Sequence, residues 1–344
     1  PALEGSIALV GGRLDDLKLL RYRETVDPDS PVIRLLSPLG TENPYYIETG
    51  WQPRAGDPTP VPRADSRWRA TSTGPLTVDN PVRLVWENGA GLTFVREIAV
   101  DTDYMFTVTQ RVQNNGTAPV ELFPYALIHR RGQPEISGFF ILHEGFLGVF
   151  DETLEEVDYD DLEDEPAYNY QSTGGWLGIT DKYWLTALIP DQSAPFSGRF
   201  SGSATPGAEI YQADYLREGQ MLAPGGTIES TNRVFAGAKK VDLLEAYRDD
   251  GVVRFDLAVD WGWFFFLTRP LFWALDVLGT MVGNFGVAIL IVTVIIKLVL
   301  FPLANKSYEA MSKMKKLQPK MVQLRERYAD DKMKQQQELM ELYK

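Results

Sequence analysis

The run from Phe285 to Leu303, FGVAILIVTVIIKLVLFPL, constrains this chain more than any other stretch, because nineteen consecutive residues carry a single charge, Lys297. Wound as a helix the run extends about 28 Å, enough to cross a ~30 Å hydrocarbon core. An ammonium inside a bilayer costs roughly 2.5–3.5 kcal/mol on insertion scales, so Lys297 must snorkel to the headgroups, face water or meet a partner.

Charge divides the rest of the chain around that segment. Residues 1–284 hold 23 Lys and Arg against 41 Asp and Glu, whereas from Ala304 onward ten bases outnumber six acids. Short basic flanks stay on the cytoplasmic side, which places the tail inside and the acidic part outside as an ectodomain. With no cysteine, disulfides and thiolate metal sites are excluded. An external domain of this size must be exported, so a hydrophobic segment upstream is expected, and the mid-helical pattern at Glu341–Lys344 suggests continuation beyond it.

Residues 1 to about 238 read as β structure. Runs from Ser6 to Val10, Val82 to Trp86, Leu92 to Val100, Met105 to Val112, Val120 to Leu127, Trp184 to Ile189 and Thr227 to Val234 alternate or are β-branched, with turn signals such as Asn88-Gly89 and Pro224-Gly225-Gly226 between them. Many short strands spaced in this way favour one large antiparallel β-sandwich. Gly50 to Thr73, rich in Pro, Gly and Arg, reads as a long irregular loop. Asp151 to Glu165, with ten carboxylates and no base, reads as a solvated, mobile loop that lacks the D-x-[DN]-x-[DN]-G calcium pattern.

Val241 to Tyr247 reads as a short helix closing the domain, which is bounded at 1–250. The segment 261–282 is heavily aromatic, and Trp261, Trp263 and Trp273 suit the membrane–water interface, so an external amphipathic helix is expected there. A second spanning helix is the alternative. Arg269, Pro270, Asp276 and the tight Gly283-Asn284 turn argue against it. The transmembrane helix is bounded at 285–303 and the cytoplasmic part at 305–344.

In that tail Met311, Met314, Leu317, Met321, Leu324 and Tyr328 recur at steps of three or four, and Met333, Gln336, Met340 and Tyr343 form a second stripe. With Ala329-Asp330-Asp331 interrupting the pattern, an antiparallel helical hairpin follows, kinked at Pro319. The methionines are expected to form its seam. The other reading is an adaptable surface for apolar partners.

Catalytic patterns are absent. There is no G-x-S-x-G, P-loop or H-E-x-x-H, and nothing in the sequence fixes a carboxylate beside either histidine, His129 or His143. Sugar epimerase chemistry on those histidines is therefore disfavoured, and no cofactor or metal is expected. Trp51, Trp68, Trp86, Trp176 and Trp184 could stack on a sugar or peptide, but single aromatics in a sandwich more often fill its core. Thr293 lies four residues before Lys297, so the two share a helix face. Two readings of that polar stripe stand on spacing alone: snorkelling, with Thr293 bonded back to a carbonyl, or a hydrated cavity within the membrane.

The residues Gly283-Asn284-Phe285-Gly286, Thr293 to Lys297, Phe301-Pro302-Leu303, Ser307-Tyr308, Leu317-Gln318-Pro319-Lys320 and Arg325-Glu326-Arg327 closely resemble the YidC family of bacterial membrane protein insertases. Tyr170 to Trp176 and Tyr183 to Ala187 resemble the large periplasmic domain of its Gram-negative members. The resemblance implies a galactose mutarotase-like sandwich without its catalysis, residues 1–284 periplasmic and 304–344 cytoplasmic, in the bacterial inner membrane. It also implies a hydrophilic groove in which Lys297 takes the place of the commoner arginine, with Thr293 beside it. Met311, Met314, Met321, Arg325, Met333 and Met340 are then expected to contact substrates or partners. The implied partners are nascent membrane proteins, the lipid bilayer, the Sec translocon, and the ribosome or signal recognition particle pathway, with no specific nucleic acid and no enzymatic step. An envelope receptor binding a glycan or peptide is the alternative function.

Overall fold

A computed structural model describes residues 2–133, 143–203, 209–327 and 332–343. They form two compact units, Pro1–Asp260 and Trp261–Lys344.

The first unit is built from two nine-stranded sheets with antiparallel pairing throughout their ladders. One sheet runs from the edge strand Leu3–Ala8 through Arg13–Arg23, Tyr45–Pro53, Val120–Arg131, Ile210–Arg217 and Pro195–Ser203 to Ala167–Thr173. The other has Thr227–Ala238 and Met105–Asn114 at its centre. Period-two alternation makes this arrangement. Along Val120–Arg131 the inward positions are Leu122, Pro124, Ala126, Ile128 and finally Arg130, so the phase that buries the apolar residues also carries a guanidinium inward.

Arg96 enters the core in the same way, between Phe94 and Ile98. Its guanidinium lies 4.6 Å over the Trp68 ring and donates to the carbonyl oxygens of Gly12 and Thr49, tying the second sheet to the first. Burial pulls its pKa down to about 10. At neutral pH it stays charged, its two terminal nitrogens bonded to carbonyl oxygens and its plane against an aromatic face.

Two loop expectations are corrected. Within Asp151–Glu165, residues Thr153–Asp158 form a strand paired with Gly145–Phe150, followed by the short helix α1 (Asp161–Asp164). Asp151 and Glu152, at φ 46° and 64°, make the tight turn of this hairpin. Val157, Tyr159 and Leu162 are buried, so three apolar anchors hold a segment whose charges face water. Gly50–Thr73 is only partly irregular: the strand Tyr45–Pro53 occupies its start and Arg69–Ala70 lies near its end. The closing helix is present as α2 (Val241–Asp249), with Leu244 fully buried. Beyond it Phe255 packs edge-on against Trp176 at 5.2 Å.

The second unit contains α3 (Phe265–Val282), α4 (Phe285–Arg327) and α5 (Lys332–Tyr343). The two residues between α3 and α4 each cap a helix. Gly283, at φ 70°, takes the left-handed position ending α3 and donates its N–H to the Gly279 carbonyl. Asn284 starts α4, its Oδ1 accepting the N–H groups of Gly286 and Val287. The tight turn is thus made by two residues suited to it, and turn geometry is no argument against a second span. Both α3 and α4 are long and apolar enough to cross a membrane. Among the described residues of α4 those buried are Ala288 and Val292, and from Thr293 to Lys316 the helix is exposed. It runs through Pro302 and Pro319 as one 43-residue element.

Candidate substrate face and other candidate sites

Thr293 and Lys297 both lie on α4, one turn apart and exposed on one face. The Thr293 hydroxyl donates to the Ile289 carbonyl at 2.7 Å, so its own hydrogen is satisfied within the helix while its oxygen can still accept. Lys297 takes part in none of the ion pairs among the described residues. Around the pair the surface is apolar: Ile289, Leu290, Val294, Ile296, Leu298 and Leu300 are exposed at between 36% and 68%. A hydroxyl and an ammonium in such a band are the only groups there that can hold water or attract a carboxylate.

Farther along α4, Met311 and Met314 are about half exposed, and on α5 Met333 and Met340 are 82% and 69% exposed. A seam would bury them, so the seam expectation is corrected at these four positions. The α5 stripe has Gln336 among its methionines and only 12 residues to set against the entropy of ordering them. Leu317 and Met321 are half-buried, and Arg325 is exposed in the last turn of α4. Glu309 and Lys313 pair at 3.1 Å one turn apart. Tyr328 and Ala329-Asp330-Asp331 lie outside the described residues. On and before α3, Trp263 and Trp273 are 94% and 68% exposed, while Trp261 is half-buried against Phe272 and lies under the Arg269 guanidinium.

In the sandwich the histidines are occupied. His129 stacks on Tyr46 with ring centroids 4.8 Å apart, and burial lowers its pKa. His143 does have a carboxylate neighbour, which the sequence could not reveal: Nδ1 lies 3.0 Å from Asp158 Oδ1. Its Nε2 is 2.7 Å from the Phe146 carbonyl oxygen, so a protein oxygen stands beside each ring nitrogen. Trp51, Trp68 and Trp176 are core residues. Trp184 is half-buried, edge-on to Tyr22 at 5.0 Å, and lines a polar cavity of about 680 Å³. Into the same cavity comes a pair that sequence reasoning missed, Arg130 and Asp181, at 2.6 Å. The inward phase of Val120–Arg131 was the one signal that pointed to Arg130.

With this geometry in hand, comparison with known proteins is specific. Residues 1–274 match the family model of the YidC periplasmic domain, and residues 277–344 match that of the 60Kd inner membrane protein. A membrane protein insertase YidC from Nitrobacter hamburgensis is 50% identical over 355 residues, and one from Beijerinckia indica subsp. indica is 51% identical over 350. Each alignment covers 100% of this chain, but the chain spans only 58% and 57% of those relatives. Among solved structures, a galactose mutarotase related enzyme from Lactobacillus acidophilus is similar at a TM-score of 0.47 and 7% identity, covering 68% of this chain and 94% of that one. No chemistry is carried over from that likeness.

Proposed function

Because this chain belongs to the YidC family, we propose that it is the major part of an inner-membrane insertase, which receives nascent membrane proteins along α4 and releases them into the bilayer. The observation that carries this reading is the Thr293–Lys297 stripe, exposed within an otherwise apolar helix. Lys297 attracts acidic or polar parts of a translocating segment, and the water it holds with Thr293 shortens the hydrophobic barrier that segment must cross. No nucleotide or covalent step enters. The relatives' shared name favours insertion over the receptor alternative.

In this reading residues 1–250 are the periplasmic sandwich and 261–282 lie at the outer membrane–water interface, anchored by Trp261, Trp263 and Trp273. Residues 285–303 span the membrane and 305–344 are cytoplasmic. Charge supports the interfacial role of α3, since Arg269 and Asp276 would otherwise enter hydrocarbon. The exposed methionines Met311, Met314, Met333 and Met340 offer polarizable contacts to varied apolar segments, with Met321 and Arg325 beside them. The Sec translocon and the ribosome or signal recognition particle pathway are the partners this role would require.

A photo-crosslinker placed at Thr293 in the active full-length protein tests the reading. Capture of a nascent membrane protein during insertion is expected. An active protein whose Thr293 position never captures one refutes the α4 face as the substrate path.

A further inference from the structure

The 680 Å³ cavity lined by Trp184 lies within the sandwich unit and is independent of the membrane helices. Its size falls within the roughly 300–1,000 Å³ of small-molecule pockets. The chemistry of its wall is mixed. Three carboxylates stand against four cationic side chains, which suits neither a polyanion nor a metal cation. At its floor Arg130 donates to Asp181, the two side chains only 11% and 17% exposed, and the guanidinium also lies 4.7 Å over the Tyr45 ring. A pair this far from water is costly to bury and fixes both groups in one orientation. Glu144 is held at the rim by the Lys182 N–H at 2.9 Å, and Asn43 adds an amide that both donates and accepts. Trp184 and Tyr183 supply aromatic surface, their rings edge-on at 6.2 Å.

A ligand that meets fixed donors and fixed acceptors in near-equal number, beside an aromatic surface, must itself carry groups that do both and have an apolar face. Hydroxyl groups on a saturated ring meet that requirement. We propose that this cavity is a binding site for a neutral saccharide, with the Arg130–Asp181 pair and Glu144 bonding its hydroxyls and Trp184 packing on its C–H face. The proposal concerns binding alone and involves no bond made or broken. It stands or falls separately from the insertase reading, because the test below contains no insertion step.

The experiment titrates the chain, in lipid nanodiscs free of glycoside detergent, with glucose, galactose, N-acetylglucosamine and maltose, followed by saturation-transfer NMR and calorimetry. Saturable binding of at least one sugar is expected, weakened roughly tenfold by Trp184→Ala through loss of the aromatic contact. A comparable loss is expected in Asp181→Asn, where the charged acceptor is gone. Should Asp181→Asn fail to fold, Glu144→Gln replaces it, since the amide keeps an oxygen for the Lys182 N–H. No saturable sugar binding to the unaltered chain overturns the proposal. So does binding that is indifferent to Trp184→Ala, or a site filled by inorganic phosphate in place of sugar.

Discussion

Replacing Lys297 separates charge from insertion energy. Lys297 sits about 18 Å along α4 from Phe285 and about 9 Å from Leu303, by helical rise. On insertion scales Lys297→Leu makes the span more favourable by about 3–4 kcal/mol, so a lysine without a task is improved or unaffected by the change. If the ammonium attracts a carboxylate of the passenger, the pair is worth about 4 kcal/mol at 4 Å with an effective dielectric of 20, and Lys297→Glu turns that attraction into repulsion. The assay is growth of insertase-depleted cells carrying full-length variants, with carbonate extraction to confirm that each protein is inserted. Lys297→Arg should support growth. Lys297→Leu should fail although it inserts at least as well, and Lys297→Glu should fail most severely. Equal growth of all three, with equal membrane levels, refutes the electrostatic argument and leaves Lys297 as a snorkelling residue.

Three further outcomes follow from the sandwich. Arg96→Met leaves the buried carbonyls of Gly12 and Thr49 without their donor and should cost about 2–5 kcal/mol in urea unfolding; an equally stable variant would show that the buried charge is dispensable. His129 has its pKa lowered by burial, so below the ordinary value of 6.5 the unfolded chain takes up the proton more readily than the folded one. Stability should therefore fall as pH drops from 6.5 through the lower folded value, and His129→Gln should flatten that slope in denaturant titrations from pH 7 to 5. At Gly175, with φ 97°, an added Cβ would lie 2.0 Å from the Val149 carbonyl oxygen, so Gly175→Ala should cost about 3 kcal/mol or more in thermal unfolding; a melting point unchanged from the parent would contradict the close strand pairing there.

Local periodicity made much of this molecule legible. The strands Leu92–Val100 and Trp184–Ile189 have the bounds read from the sequence; the first alternates along most of its length, while the second buries five consecutive residues after Trp184 and is marked by its apolar run and the turns that flank it. The Thr293–Lys297 face was readable for the same reason, with the period now that of a helix. The hairpin at Asp151–Glu165 was missed because ten charges obscured three buried anchors, and a carboxylate run says nothing about which sheet waits opposite. Asp158 beside His143 and Asp181 beside Arg130 arise from chain segments brought together by the folded sheets, a relation no local pattern contains. The methionine stripes lie on helices as read, but Met311, Met314, Met333 and Met340 are exposed where a seam was expected, since spacing fixes a face and not what covers it.

Thr293 and Met311 are eighteen residues apart on a helix that does not break between them. At 3.6 residues per turn that is about five whole turns, so the two point to the same side some 27 Å apart, with Lys297 close to the line that joins them. If a segment moves along α4 as proposed, it would exchange thioether for hydroxyl and ammonium without passing around the rod, as on a single rail. The alignment depends on the count of residues between its ends. One residue inserted after Ala304 would swing Met311 by about 100° and take it off the rail, with every side chain still present.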